Sequence, residues 1–437
     1  MRLSYEIGRI FFCMMYQQRP PFDFARGKQK TFSKEPERSF GGLGIAPKLL
    51  EVLESLKFQT PTPIQHKAIP AAIEGKDIVG IAQTGTGKTL AFGIPMLQRL
   101  LQNKNIKGLI VLPTRELALQ VNEELQKLGR TFGIRTVVLI GGASMGYQIQ
   151  TLRRGVDIVI GTPGRILDHL AQRTLNFNNV GILVLDEADR MFDMGFAPQI
   201  SKILQALGKE RQTMLFSATM PDDIMRIASR HMKLPLRVEI AQQGTTAEKV
   251  EHELFFVRKD EKNRLLDKLL GEYKGSVLLF SRTKYGVARI CKGLRAMGYS
   301  AAEIHSNRSL SQRREALDGF KVGKYRVLVA TDIASRGIDV KNIELVINYD
   351  LPESAGDYVH RIGRTGRAGM AGRAISFVGP EQRNKVRDIE RLIRLRLPVS
   401  PLPGLPAEKA GVSAVSTERQ YDRPTRQRRF HRSSFRR

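Results

Sequence analysis

Residues 78–89 read IVGIAQTGTGKT. Four apolar residues of strand length lead into a glycine-rich turn, and a helical pattern follows it. Glycines at such a turn let backbone N–H groups surround a phosphate, while a lysine and a hydroxyl can meet further phosphates and a Mg²⁺ ion. Ala82 stands where the general pattern has its first glycine. The context predicts a phosphate-binding loop that comprises Thr84, Gly85, Thr86, Gly87, Lys88 and, as the Mg²⁺-binding hydroxyl, Thr89.

Outward from this loop, short apolar runs alternate with helical patterns along two stretches of the chain. Nearly unbroken runs of Val, Ile and Leu are typical of strands buried on both faces of a parallel sheet. The first stretch predicts strands at 78–82, 109–112, 136–140, 158–160, 182–185 and 213–216. The second predicts strands at 252–257, 276–280, 300–304, 327–330, 345–347 and 374–378. The fold class is therefore α/β, with two tandem doubly wound parallel-sheet domains.

Composition shifts divide the chain into five parts. We expect a disordered N-terminal extension over 1–39, a first domain over 40–240, a short linker over 241–250, a second domain over 251–396 and a disordered basic tail over 397–437. The linker and the tail are polar, Pro-rich or Arg-rich, without a period that could pack.

Length and composition exclude several classes of protein. A chain of 437 residues, 41% hydrophobic and 26% charged, is not a mini-protein, and it has no run of 18 apolar residues that predicts a membrane span. The short apolar run at 10–16 lacks a following cleavage site, so we do not interpret it as a signal peptide; a start at Met14 or Met15 is an alternative. Two cysteines, Cys13 and Cys291, cannot make a disulfide framework. We expect a cytoplasmic monomer.

The charge balance points to a polyanionic partner. Lys and Arg number 71 against 43 Asp and Glu, which gives a net charge of +28. Nucleic acid is a better candidate than an anionic membrane. Residues 419–437 carry eight arginines with Tyr421, Phe430 and Phe435 between them, a composition that could hold phosphates and stack on unpaired bases. The alternative is an Arg-rich solubility tail.

A second chemical motif follows the phosphate-binding loop at residues 182–189, which read ILVLDEAD. An apolar strand ends there in adjacent carboxylates. Asp186 at the strand tip would hold a metal through its water shell, and Glu187 could orient and deprotonate an attacking water. The alternative is a solvated acidic turn, which the upstream loop makes unfavourable.

With both motifs in place, residues 40 to about 395 resemble the DEAD-box ATP-dependent RNA helicases. The resemblance includes Phe40 and extends, in the family's order, over 58–65 (FQTPTPIQ), 113–118 (PTRELA), 141–142 (GG), 162–165 (TPGR), 186–189 (DEAD), 217–219 (SAT), 280–283 (FSRT), 330–339 (ATDIASRGID) and 360–367 (HRIGRTGR). The wording of 329–334 and the basic tail are most similar to the RhlE-like branch. The resemblance implies that both domains are RecA-like.

The resemblance also implies a complete ATP site with Mg²⁺. Gln65 would read the adenine edge through its amide, and Phe58 would pack against the adenine ring, although a core Phe is the alternative. Asp339 would bind the ribose hydroxyls. Arg364 and Arg367 resemble arginine fingers that reach the γ-phosphate from the second domain, with a solvent or nucleic-acid contact as the alternative. The site would then be complete only when the domains close.

Two further groups of residues follow from the resemblance. The hydroxyls of Ser217 and Thr219 would bond Asp189 and couple the nucleotide to the RNA site, where a plain strand-end turn is the alternative. The expected RNA-backbone contacts are cations, hydroxyls and glycines: Arg115, Gly142, Thr162, Arg165, Arg282 and Thr331. Arg313 is a weaker candidate, because Leu310 stands where the family often has Gln.

The predicted function is an ATP-dependent RNA helicase that binds single-stranded RNA and short duplexes without reading their sequence. One alternative is an RNA chaperone or annealing clamp with RNA-stimulated ATPase activity. Another is a translocating DNA motor of the same superfamily, which would not be expected to carry the Gln65 segment. No sequence feature names the physiological RNA or a protein partner.

Overall fold

The computed structural model describes residues 39–83, 85–240, 250–332, 343–366 and 372–404. Within these residues the chain forms two lobes, which we call the first lobe (39–240) and the second lobe (250–404). Each lobe is a wholly parallel sheet with helices on both faces. The predictions for the N-terminal extension, the linker at 241–249 and the tail beyond 404 lie outside the described residues, as do those for Thr84, Asp339 and Arg367.

The first lobe is built on a seven-stranded sheet of order β3-β4-β2-β5-β6-β1-β7. Its strands are β1 Ile78–Ile81, β2 Lys107–Val111, β3 Thr136–Leu139, β4 Ile158–Gly161, β5 Val180–Leu185, β6 Gln212–Ser217 and β7 Leu236–Glu239. Its helices are α1 Pro47–Ser55, α2 Pro63–Ile73, α3 Lys88–Gln102, α4 Arg115–Gly129, α5 Met145–Arg153, α6 Pro163–Ala171, α7 Ala188–Asp193, α8 Ala197–Ala206 and α9 Asp222–His231. Short 3-10 turns lie at Phe40–Gly42 and Arg130–Phe132.

The strands of the first lobe are apolar on both faces because helices cover both. Successive residues of one strand enter different cores: Ile78 packs with the cluster that contains α2 and α3, and Val79 with the cluster that contains α8 and α9. Alternation of side chains along a strand accounts for this division. It also explains why the apolar runs in the sequence are unbroken.

The second lobe has a six-stranded sheet of order β10-β11-β9-β12-β13-β8. Its strands are β8 Val250–Phe256, β9 Val277–Phe280, β10 Ala301–Ile304, β11 Val327–Ala330, β12 Leu345–Asn348 and β13 Gly372–Val378. Its helices are α10 Lys262–Glu272, α11 Lys284–Ala296, α12 Leu310–Lys321, α13 Ala355–Ile362 and α14 Arg383–Ile393, with a 3-10 turn at Pro380–Gln382. Cys291 on α11 is fully buried in the core.

The predicted strands are confirmed; the structure adds one strand and shows ordered residues at two of the expected domain boundaries. Strand β7, which pairs with β1 at the sheet edge, was not expected, because Val238 is its one buried residue and no apolar run marks it. At the boundary expected at residue 397, the described chain is still packed on the second lobe. Leu397 is buried, and Val399 bridges to Leu254 on β8, since these residues cover the edge of the second sheet. Strand β8 itself starts at Val250, inside the expected linker.

Parallel strands carry their carboxyl ends to one edge of the sheet, and the loops there hold the residues that the sequence singled out. No helix among the described residues is both long enough and apolar enough to cross a membrane.

Candidate active site and nucleic-acid interface

The turn between β1 and α3 has the backbone that a phosphate-binding loop requires. Gly85 and Gly87 have φ values of +81° and +88°, in the left-handed region that favours glycine. Gly87 caps α3, and a Cβ atom there would lie 2.4 Å from Gln65 Nε2. Another residue at Gly87 would be strained and would crowd the Gln65 amide. The first N–H groups of a helix have no acceptor within the helix, so the start of α3 suits a phosphate.

Lys88 and Asp186 face each other next to this turn. Lys88 Nζ donates a hydrogen bond to the Ala82 carbonyl oxygen at 3.1 Å and lies 3.7 Å from Asp186 Oδ1. Both side chains are buried. Burial raises the pKa of Asp186 to about 6, although the Lys88 charge opposes the rise. The Lys88 charge therefore does not fully offset the effect of burial on the pKa of the Asp186 carboxyl.

Glu187 has an unusual backbone for a glutamate. Its φ of +52° and ψ of +49° place it in the left-handed region, and it caps α7 at the tip of β5. Glu187 Oε2 accepts a hydrogen bond from Arg190 Nη1 at 3.0 Å. Burial alone would raise the pKa of Glu187, but the charges of Arg190, Lys88 and Arg364 outweigh it and hold the pKa below its ordinary value. The carboxylate is thus kept ionised, as a proton acceptor must be before the reaction, while the same three charges reduce its basicity.

Arg190 also joins the two lobes. Its Nη2 donates to His360 Nδ1 on α13 at 3.0 Å. Burial and the Arg190 charge lower the pKa of His360 to about 4, so the imidazole is neutral and can accept this bond. Arg364 is buried nearby, and its Nε donates to the His360 carbonyl oxygen at 3.3 Å. The second lobe therefore carries Arg364 to the surroundings of Glu187.

Sequence reasoning missed the link between Arg190 and His360. The position of Arg190, three residues after Glu187 on a helix, is a signal for its pairing with that carboxylate. Nothing in the sequence pairs it with a histidine 170 residues away. Beside this link the two lobes enclose a cavity of about 320 Å³, lined by Gln83, Ala218 and Thr219 of the first lobe and by Ala355, Gly356, Val359, His360, Gly363, Leu392 and Ile393 of the second.

Asp189 is bonded to the end of β6 and to the segment that follows it, through its carboxylate and its backbone N–H. Asp189 Oδ2 accepts hydrogen bonds from the Thr219 hydroxyl at 3.1 Å and from the N–H groups of Ala218 and Thr219 at 3.1 and 2.9 Å. Ser217 Oγ instead accepts a bond from the Asp189 backbone N–H at 3.1 Å. Both hydroxyls therefore contact Asp189, Thr219 at the carboxylate and Ser217 at the backbone N–H, where Oγ satisfies a helix donor at the start of α7.

Gln65 and Phe58 differ in their exposure to solvent. Gln65 is buried, its Oε1 accepts from the Thr62 N–H at 2.8 Å, and its Nε2 donates to the Gly87 carbonyl oxygen at 3.0 Å. An amide retains a second N–H and a second lone pair after these two bonds. Phe58 is 40% exposed, so it is not the core phenylalanine that was the alternative.

The four first-lobe candidates for RNA contact converge at the ends of β2, β3 and β4. Arg115 packs on the Gly141–Gly142 turn, where Gly142 has a φ of +79° and a Cβ atom would lie 2.4 Å from Arg115 Nη1. Arg165 Nη1 donates to the Ala143 carbonyl oxygen at 3.2 Å, and Thr162 caps α6. Burial and the neighbouring charges of Arg313 and Arg165 lower the pKa of Arg115. Such crowded cations favour an anionic ligand.

The second-lobe candidates are more open. Arg282 follows β9, is exposed, and its Nη1 donates to Glu353 Oε1 at 3.3 Å. Thr331 follows β11, and its backbone N–H donates to the Ile304 carbonyl oxygen at 3.3 Å. The structure therefore places both at the carboxyl edge of the second sheet.

Arg313 forms an ion pair between the lobes. Its Nη1 lies 3.0 Å from Glu116 Oε1, the residue next to Arg115, and both side chains are buried. The next residue, Arg314, pairs with Glu123, seven residues after Glu116 on α4, at 3.2 Å on the surface. Leu310, the departure noted in the sequence, packs against the core of the first lobe. Helix α12 thus contacts α4 on the side where the RNA candidates lie.

Known proteins agree with this architecture. Residues 62–227 match the family described as DEAD/DEAH box helicase, and residues 261–369 match the helicase conserved C-terminal domain. The chain is 44% identical over 384 residues to the ATP-dependent RNA helicase CshA of Listeria monocytogenes, which covers 87% of this chain and 74% of that protein. It is 42% identical over 369 residues to the ATP-dependent rRNA helicase RRP3 of Debaryomyces hansenii, with coverage of 84% and 77%.

Solved structures show the same fold. S. cerevisiae Dbp5 bound to RNA and ADP BeF3 superposes with a TM-score of 0.74 at 30% identity, over 83% of this chain and 95% of that one. Mss116p bound to ssRNA and AMP-PNP superposes with a TM-score of 0.75 at 27% identity, over 83% and 78%. With these relatives, the two parallel-sheet lobes and the ordered motifs, the chain belongs to the DEAD-box ATP-dependent RNA helicases.

Proposed function

We propose that ATP is hydrolysed where the carboxyl edge of the first sheet meets α13 of the second lobe. One observation carries this proposal: Lys88, Asp186 and Glu187 lie in a single charge network with Arg190, His360 and Arg364. The first three come from the first lobe and are buried next to the phosphate-binding turn. The second lobe adds a cation only when the lobes are in contact.

Each residue of this network has a role that its surroundings support. Lys88 balances charge on the β- and γ-phosphates. Glu187 takes the proton of the attacking water, since its carboxylate is ionised and held by Arg190. Arg364 stabilises charge that develops on the γ-phosphate in the transition state, as an arginine finger does. Arg367, outside the described residues, is proposed as a second finger from the resemblance alone.

Mg²⁺ fits the residues next to the turn. Thr89 and Asp186 offer oxygen ligands. The Lys88 charge does not fully offset the burial of the Asp186 carboxylate, so a second cation would stabilise it. Mg²⁺ is usually held by one or two protein oxygens together with substrate phosphates and water. Thr89 and Asp186 would hold the ion, which would neutralise phosphate charge.

Recognition of the nucleotide base rests on Gln65 and Phe58. The free N–H and lone pair of the Gln65 amide suit an adenine edge, and the exposed Phe58 ring is free to pack against the base. Because Gln65 also bonds Gly87, base recognition and the shape of the phosphate loop are linked. Asp339, outside the described residues, is proposed for the ribose hydroxyls.

RNA is proposed to lie along Arg115, Gly142, Thr162 and Arg165 of the first lobe and Arg282 and Thr331 of the second. These groups suit phosphates and 2′-hydroxyls rather than base edges, which accords with binding without sequence preference. Asp189 and Thr219 link the nucleotide edge to the lobe boundary, and we propose that they transmit the nucleotide state. An RNA tether in the tail stays a prediction.

The test is the ATPase rate measured without nucleic acid, with single-stranded RNA and with DNA of equal length. We expect a low basal rate, strong stimulation by RNA and weak stimulation by DNA, with a Lys88→Ala variant inactive throughout. Equal stimulation by DNA would contradict RNA specificity. Strand annealing without ATP-dependent unwinding would instead favour the chaperone alternative.

The finer placement in the RhlE-like branch is not confirmed, since the bacterial relative reported above is named CshA, a different branch.

A further inference from the structure

Two exposed tyrosines lie beside the proposed RNA contacts, one on each lobe. Tyr147, in the first turn of α5, is 69% exposed, and Tyr285, in the first turn of α11, is 73% exposed. Among the large hydrophobic residues exposed in the described part of the chain, the only other aromatic is Phe58, seven residues before Gln65. A single exposed ring is ordinary in itself, but one that lies beside cations and hydroxyls suited to RNA offers a face on which a base can stack.

Tyr147 is fixed to the first-lobe RNA contacts through its helix. Its backbone N–H donates to Ser144 Oγ, which caps α5. The next residue, Gln148, accepts from Arg165 Nη1 at 3.3 Å and donates to the Ile140 carbonyl oxygen at 3.0 Å. The first turn of α5 is therefore held against the strand end that leads into Gly142, while the Tyr147 ring itself stays in solvent.

Tyr285 has a similar setting on the second lobe. It lies three residues after Arg282, and Thr283 caps its helix. Lys284 Nζ lies 5.2 Å from the centroid of the Tyr285 ring and also donates to Asn307 Oδ1 at 3.0 Å. A phosphate chain drawn to these cations would bring its bases within reach of an exposed ring.

We propose that Tyr147 and Tyr285 each stack on an unpaired base of the bound RNA strand. This inference rests on the RNA interface proposed above and adds to it a base contact that is blind to sequence, because every base has a face on which an aromatic ring can stack. Bases in a duplex have both faces covered by their neighbours. The two tyrosines, one on each lobe, therefore favour binding of single-stranded RNA over binding of the same strand in a duplex. The surrounding cations favour this occupant over a protein segment.

The test compares a natural single-stranded RNA with an RNA of equal length made of abasic nucleotides, so that phosphates and 2′-hydroxyls are kept and bases are lost. Binding is measured by fluorescence anisotropy with a non-hydrolysable ATP analogue, for the full chain and for Tyr147→Ala and Tyr285→Ala. We expect each substitution to weaken natural RNA by roughly five-fold or more and to leave abasic RNA unchanged. Tyr147→Phe should bind as the unchanged protein does, since the ring is kept.

The matched control is Leu234→Ala, which removes another exposed apolar side chain, 99% exposed and distant in sequence from the RNA contacts. It should not change either affinity. Unchanged binding of natural RNA by the tyrosine variants, or equal losses for both RNAs, would overturn the stacking proposal while the RNA interface stands. Failure of the unsubstituted protein to bind either RNA would overturn the interface and the stacking together.

Discussion

The two lobes meet at two places that are built differently. On the ATP side, Arg190 of the first lobe bonds both the catalytic candidate Glu187 and the neutral His360 of the second lobe, each at 3.0 Å. On the RNA side, Arg313 of the second lobe forms a buried ion pair with Glu116 of the first, also at 3.0 Å. One guanidinium is shared between a carboxylate and a neutral ring, and the other is committed to a single carboxylate.

Because the two contacts differ, closure of the two lobes can affect the proposed ATP site and the proposed RNA site in different ways. Because His360 is neutral, its bond with Arg190 adds little electrostatic energy. This contact therefore positions α13 without adding a charge beside Glu187. Removal of one partner from a buried ion pair leaves the other charge buried and unpaired, so closure at this contact depends on both Arg313 and Glu116. We therefore expect changes on the ATP side to affect the chemical step and changes on the RNA side to affect closure.

The largest effect is expected for Arg364→Ala. Because the guanidinium would stabilise charge only in the transition state, RNA-saturated ATPase turnover should fall by about 10³-fold or more, with ATP binding little changed. The control is Arg391→Ala, an exposed second-lobe arginine whose loss should leave turnover intact. A loss of only a few-fold in Arg364→Ala would remove it from the chemistry.

Glu187→Gln should follow, with a loss of about 10² to 10⁴ in turnover. The amide retains an oxygen that can accept from Arg190, so the lobe contact should survive while the base is lost. Single-turnover hydrolysis and equilibrium ATP binding separate these effects. Hydrolysis close to the normal rate would show that another group takes the proton.

On the RNA side, Arg313→Leu should impair closure more than chemistry. It leaves Glu116 buried without its partner, which should cost about 2 kcal/mol or more and raise the RNA concentration needed for half-maximal ATPase roughly 30-fold. The charge-swapped double variant, Glu116→Arg with Arg313→Glu, should recover part of the loss. The surface pair Arg314–Glu123 is the matched control, and Arg314→Leu should change RNA dependence at most a few-fold. Similar losses at both pairs would contradict the difference between them.

A smaller effect is expected from the pKa of His360, which faces Arg190, Asp189, Glu187 and Arg364. Its pKa is about 4 in the fold and 6.5 as an ordinary histidine, so below pH 6.5 the unfolded chain binds a proton that the fold excludes. Stability from this group is complete above pH 6.5 and declines as the pH falls toward 4. Between pH 7 and about pH 5.5 the free energy of unfolding should drop by about 1 kcal/mol more than in His360→Gln. Parallel pH profiles of the two proteins in urea unfolding would exclude this cause.

The smallest effect should come from Leu310→Gln, which introduces the residue that the family often has. Leu310 is partly buried against the first lobe, so the loss of apolar contact should weaken closure by less than about 1 kcal/mol. Fluorescent labels, one on each lobe, would report the change in closure with ATP analogue and RNA. An effect as large as that of Arg313→Leu would mean that the apolar contact, not the ion pair, holds this side.

The sequence predicted whatever depends on neighbours along the chain. Strand β11, Val327–Ala330, was found at its true bounds, because all four residues are buried and apolar. Edge strand β7 is not predicted, because it is stabilised by pairing with β1 and its own residues have no apolar pattern. Likewise Lys88, Asp186 and Glu187 are readable from strand-end motifs, whereas Arg190 with His360 and Arg313 with Glu116 join residues far apart in sequence. Contacts between lobes have no local pattern.

The buried Cys291 has a consequence for measuring these motions. Thiol reagents attack the thiolate, and burial raises the pKa of the Cys291 thiol to about 11, so almost none of it is reactive near neutral pH. The chain has one other cysteine, Cys13. Replacement of Cys13 alone would give a background inert to maleimide dyes, onto which one new surface cysteine per lobe could be added. The native core would stay intact during labelling, and its slow reaction with a thiol probe would itself report opening of the second lobe.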